Sequence, residues 1–196
     1  MLWDEEAHAG EIFNAQILIA PDGEILAVHR KFHLMESSRI FSPGNIPATI
    51  VEIKGVRTGI IICSDIQSPV VRKSLKAKRV KLILGGLANP SDPNFFVSGM
   101  IAKLFDSWIV TANRYGEEDG NFYEGDMIFS DPLGQLQHTA MGAEQLVCEK
   151  IYFVTNESTV KQKLRRIYVG ISFIPFLWKQ IFLRIQKTAK SKGTKI

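Results

Sequence analysis

Cys63 ends the run Gly59–Ile62 (Gly-Ile-Ile-Ile) and begins Ser64-Asp65-Ile66-Gln67-Ser68-Pro69, so its thiol sits where a buried-strand pattern gives way to a helical one. At that junction a cysteine meets the positive end of a helix dipole, which favours thiolate over thiol and makes a nucleophile. The position equally suits a buried structural cysteine. Upstream, Lys31 lies in Val28–Leu34, VHRKFHL, at or just beyond a strand end. By itself it reads as a solvated surface charge. His29 and His33 flank it as candidate bases, with His29 on the strand and without an evident partner. His8 and His138 lack ligand spacing, so neither a metal site nor a cofactor is implied. Cys148 reads as an inert strand residue.

These residues need elements to hold them. Asn14–Ala20 and Glu24–Arg30 surround Pro21-Asp22-Gly23 and predict a hairpin. Thr49–Ile53 and Arg57–Ile62 predict a second hairpin around Lys54-Gly55, after a loop over 35–48. A helix is predicted over Gln67–Lys78, capped by Ser64 or Asp65, with Pro69 in its first turn and Val70, Val71 and Leu75 at helical spacing. Val80–Leu84 then reads as a strand parallel to the one before Cys63. Phe95–Phe105 predicts a helix that turns Phe96, Met100, Ile101, Leu104 and Phe105 inward. Trp108–Ala112, Met127–Ser130, Gln135–Thr139 and Val147–Val154 complete the expected strands, with Gly116–Gly120 as an acidic loop. Hairpins mixed with βαβ units predict an α/β sandwich.

Two segments carry a resemblance. Arg30-Lys31-Phe32-His33-Leu34 is similar to the R-K-x-H-L segment of the nitrilase or carbon-nitrogen hydrolase superfamily. Gly59-Ile60-Ile61-Ile62-Cys63-Ser64-Asp65 is similar to its G-x-x-I-C-x-D segment. Glu36-Ser37, Ser42-Pro43-Gly44, Ala112-Asn113-Arg114-Tyr115-Gly116 and Gly125–Gly134 resemble further family elements, in order, across about residues 10 to 153. The resemblance implies an α-β-β-α four-layer sandwich whose members often pair, acting on a small amide or nitrile. Cys63 would be the nucleophile and Lys31 the stabiliser of substrate charge, helped by the backbone N–H of Ser64. Glu36, Arg72 and Asn113 would be supporting residues, and His33 a structural one. The family's general-base glutamate lies well upstream of the lysine, and the expectation is that this chain begins after it, with the first unit of the sandwich missing. Asp4, Glu5, Glu6, Glu11, Asp22 and Glu24 precede Lys31 in no matching context. Asp126, Ser64, Ser68 and Leu104–Ser107 depart from the family pattern, which bears on substrate preference.

Composition bounds the rest. The 196 residues, 45% hydrophobic, suffice for one core, expected over 1–155, with a basic, partly apolar tail over 156–196. Residues 161 to 196 hold ten Lys or Arg and no acid, leaving 14 basic against 20 acidic residues in the body, a formal charge of −6. That balance and the lack of a recognition motif exclude a nucleic-acid binder. Two cysteines and a start, MLWDEEAHAG, unlike a secretion signal predict a reducing, cytoplasmic setting. Ile167–Trp178 is uncharged but shorter than the roughly 20 residues of a membrane span; flanked by lysines and arginines, it suits a membrane surface or a packed arm. Two other readings therefore stand beside the hydrolase: a catalytically inactive interaction module of the same fold, and a membrane-surface protein acting through its tail.

Overall fold

The computed structural model describes residues 10–36, 40–89, 94–142 and 146–153. β1 (Ala15–Ile19) and β2 (Ile25–Arg30) form an antiparallel ribbon, with Ala15 opposite Arg30 and Gln16 opposite His29. The turn between them is closed by Gly23 N–H to Ala20 O and Ala20 N–H to Glu24 O. β3 (Thr49–Ile53) and β4 (Val56–Ile62) form the second hairpin. Its two turn residues, Lys54 at φ 48° and Gly55 at φ 79°, take the left-handed geometry that a two-residue turn demands.

A seven-stranded sheet runs β3-β4-β5-β6-β8-β7, with β5 (Leu82–Leu87), β6 (Trp108–Asn113), β7 (Tyr115–Glu118) and β8 (Asn121–Ser130). β9 (Leu136–Met141) also pairs with β8. β4, β5 and β6 are parallel, so Ile62, Leu87 and Asn113 end at the same edge. In an open α/β sheet that carboxyl edge is where ligands bind.

Alternation assigns the two faces. On one, Ile61, Ile83 and Ile109 form a core with Val71 and Leu75 of α1 (Pro69–Ala77) and with Ile101 and Ala102 of α2 (Asn94–Phe105). Gly59 lets α1 come close: a Cβ there would meet Leu75 Cδ2 at 2.6 Å. On the other, the ribbon approaches the sheet through Gln16, whose Oε1 accepts from Gly86 N at 2.9 Å. The described residues thus give a mixed α/β fold with a central sheet.

Several expectations are corrected. No single helix follows Cys63; a five-residue 3-10 turn, Cys63–Gln67, comes first, and α1 starts at Pro69 with Ser68 as its N-cap. Neither Ser64 nor Asp65 caps α1, because both side chains are engaged elsewhere. Gly116–Glu118 is not a loop: β7 pairs with β8 through a turn at Asp119 (φ 50°) and Gly120 (φ 72°). Val70 and Leu104 are about half exposed, each one helical step outside the stripe that meets the sheet. Residues 147–153 form no strand, and Cys148 is exposed. A second unit begins at Phe153, and the tail expectations fall on residues 154–196, outside the described residues.

Candidate active site

From Thr58 to Asp65 every residue is buried except Cys63, which is partly exposed. Its backbone sits at φ 43°, a left-handed conformation that costs a non-glycine residue about 1–3 kcal/mol. A strained residue between a buried strand and the first turn of a helix presents its side chain at the sheet edge, as nucleophile elbows do. The expected α1 dipole lies too far along the chain to act here, since the effect fades within the first turn and α1 begins six residues later.

Asp65 organises the surroundings of this turn. Fully buried, its carboxylate takes four donors: Oδ2 accepts Ile62 N–H at 2.9 Å and faces His29 Nε2 at 3.0 Å, and Oδ1 accepts Phe32 N–H at 3.0 Å and His33 N–H at 2.7 Å. A buried carboxylate persists only when it is satisfied in this way. Ser64 Oγ adds a fifth link, donating to His33 O at 2.7 Å. The Lys31 segment is thereby fastened to the Cys63 turn. The motif residues acquire physical reasons: Gly59 makes room for Leu75, and Asp65 collects the N–H groups of both segments.

Lys31 follows directly on β2. Its backbone is held on both sides, with N–H donating to Asn14 O at 2.7 Å and C=O accepting from Gly44 N at 2.8 Å. Gly44 is buried against Arg30 O, with no space for a Cβ, which accounts for the glycine of Ser42-Pro43-Gly44. The Lys31 side chain is 5% exposed, and no carboxylate of the described residues pairs with it. His29, Lys31 and Asp65 are the buried lysine, histidine and carboxylate side chains of the described residues, and all three belong to this junction. The junction is therefore the candidate site.

The other expected residues fall around it. Arg72 of α1 donates from Nη1 to Ile66 O, at 3.0 Å, and to Gln67 O, bracing the end of the 3-10 turn. Asn113 exchanges two hydrogen bonds with the backbone of Asn89, at 3.0 and 2.9 Å, tying the loop after β5 to the end of β6. Glu36 is exposed. The reading that left His29 without a partner is overturned: it is fully buried between Asp65 and Thr49, with Nδ1 3.1 Å from Thr49 Oγ1. The available signal was its place two residues before Lys31 on a strand, which puts both on one side of the chain. No group of metal-ligating side chains occurs among the described residues. None of their helices is long and apolar enough to cross a membrane.

Comparison with known proteins bears on this arrangement. Residues 2–191 match the carbon-nitrogen hydrolase family. An (R)-stereoselective amidase from a Pseudomonas species is 33% identical over 136 residues, covering 67% of this chain and 49% of the relative. A nitrilase from Pyrococcus abyssi is 25% identical over 140 residues, covering 69% of this chain and 52% of the relative. The chain spans about half the length of these relatives. Among solved structures, an amidase from Nesterenkonia sp. superposes with a TM-score of 0.59 at 23% identity, over 65% of this chain and 50% of that one. A variant of the Nesterenkonia enzyme carries the acetamide moiety of fluoroacetamide covalently on its active-site cysteine.

Proposed function

The chain belongs to the carbon-nitrogen hydrolase family, and from that premise we propose that it acts on small amides through Cys63, with Lys31 beside it. The observation that carries this reading is the single opening in a buried run: Cys63 is partly exposed while its neighbours, fastened to the Lys31 segment through Asp65, are not. The Cys63 sulfur attacks the carbonyl carbon, and the negative charge that develops on oxygen is met by the Lys31 ammonium and the Ser64 N–H. The tetrahedral species collapses to a thioester as the C–N bond breaks and the amine leaves with a proton; water then releases the acid and regenerates the thiol. Proton transfer belongs to neither Cys63 nor Lys31. It calls for a carboxylate as general base.

Arg72 and Asn113 enter as braces of the edge that carries Cys63, and Glu36 as a more distant supporting carboxylate. A nitrile would enter the same chemistry through a thioimidate, but the amide is put first because the relative at 33% identity is an amidase. Cytoplasmic residence and pairing with a second copy belong to the same proposal. The test is reaction with fluoroacetamide followed by peptide mapping. An acetamide adduct on Cys63 and not on exposed Cys148 supports the reading; equal or absent modification of Cys63 rejects it.

A further inference from the structure

No backbone ladder joins the β1–β2 ribbon to the seven-stranded sheet. At the catalytic edge the two inward polar side chains of the ribbon make the connection: Gln16 reaches Gly86 N, and His29, directly opposite Gln16 in the register, reaches Asp65. Asp65 Oδ2 also accepts Ile62 N–H, and its partner oxygen holds the N–H groups of Phe32 and His33. A carboxylate accepting three backbone N–H groups is an acceptor toward His29 as well, so Nε2 carries the hydrogen. Without that donor the carboxylate can rotate or draw in water, and the register between residue 31 and residue 63 loosens. A histidine needed only to fill space would be replaceable by any polar side chain of similar size. One needed for its Nε2–H would not.

We propose that His29 is a positioning residue for Cys63 and Lys31, acting through the Nε2–H···Asp65 hydrogen bond rather than on substrate. The proposal rests on the reading of Cys63 as the nucleophile. Glutamine and asparagine separate the two roles. The amide N–H of Gln reaches about as far as Nε2, whereas that of Asn reaches only about as far as Nδ1, on the Thr49 side.

The experiment compares iodoacetamide alkylation of Cys63 in the native chain, His29→Gln and His29→Asn, by peptide-resolved mass spectrometry, with exposed Cys148 as the internal reference. Far-ultraviolet circular dichroism and thermal unfolding check that both variants fold. His29→Asn is expected to slow Cys63 by about tenfold or more while His29→Gln stays within about threefold of native, because small misplacements are amplified in reactivity. Cys148 is expected to react alike in all three. Equal Cys63 rates in folded His29→Gln and His29→Asn, whether fast or slow, overturn the proposal while leaving the nucleophile in place. A native Cys63 no faster than Cys148 instead overturns the reading of the nucleophile, and the positioning role falls with it.

Discussion

On one face of the seven-stranded sheet, Ile61, Ile83 and Ile109 meet Val71 and Leu75 of α1, and burial of hydrocarbon does the holding. On the other, at the carboxyl edge, the ribbon is joined through Gln16, His29 and the N–H groups around Lys31, while Ile19, Ile25, Leu26 and Val28 remain about half exposed. The first contact is non-directional and tolerates small shifts. The second fixes distance and angle, which is what a nucleophile and an oxyanion stabiliser require. The aliphatic core and the hydrogen-bonded junction are thus held in different ways, with Phe32 and Ile66 reaching from the junction to the core, and substitutions in each should fail differently.

Asp65→Leu should break the comparison most severely. It strands two buried and two part-buried donors at about 1–3 kcal/mol each, so urea denaturation should show a loss of at least about 4 kcal/mol together with loss of selective Cys63 labelling. Leu75→Ala removes a fully buried side chain from the helix face and should cost about 2–5 kcal/mol, yet the folded fraction should keep its preference for Cys63 over Cys148. Gly59→Ala drives a methyl into Leu75 and should cost about 1–3 kcal/mol in the same assay, again with selectivity retained. Val28→Thr, on the outer side of the ribbon, should change stability by no more than about 0.5 kcal/mol and leave labelling unchanged. A large effect there would mean that the outer side of the ribbon is not the open surface described.

The same contrast explains what could be read from the sequence. The aliphatic face announces itself locally: Gly59–Ile62 and the spacing of Val71 and Leu75 point to β4 and to a helix after it, although not to the 3-10 turn that separates the two. Gly-x-x-Ile-Cys-x-Asp located the turn, although not the four donors on Asp65. His29 and Asp65 are 36 positions apart, and no periodicity links a strand histidine to an aspartate across such a gap. β7 was missed for another reason: Gly116, Glu117 and Glu118 lie on an exposed arm where alternation carries no burial signal, although Asp119-Gly120 is a strong hairpin turn. In 147–153 the apolar residues suggested a strand, but the segment forms none; its Tyr152 O accepts Trp108 Nε1–H at 3.3 Å.

The central claim is that the Asp65 junction sets the Lys31 amine beside the Cys63 thiol. o-Phthalaldehyde closes a fluorescent isoindole only between an amine and a thiol that are neighbours. The account predicts intramolecular isoindole fluorescence in the native chain, retained in Cys148→Ala and lost in both Lys31→Met and Cys63→Ala. Fluorescence that survives Lys31→Met, or that disappears with Cys148→Ala, would contradict it.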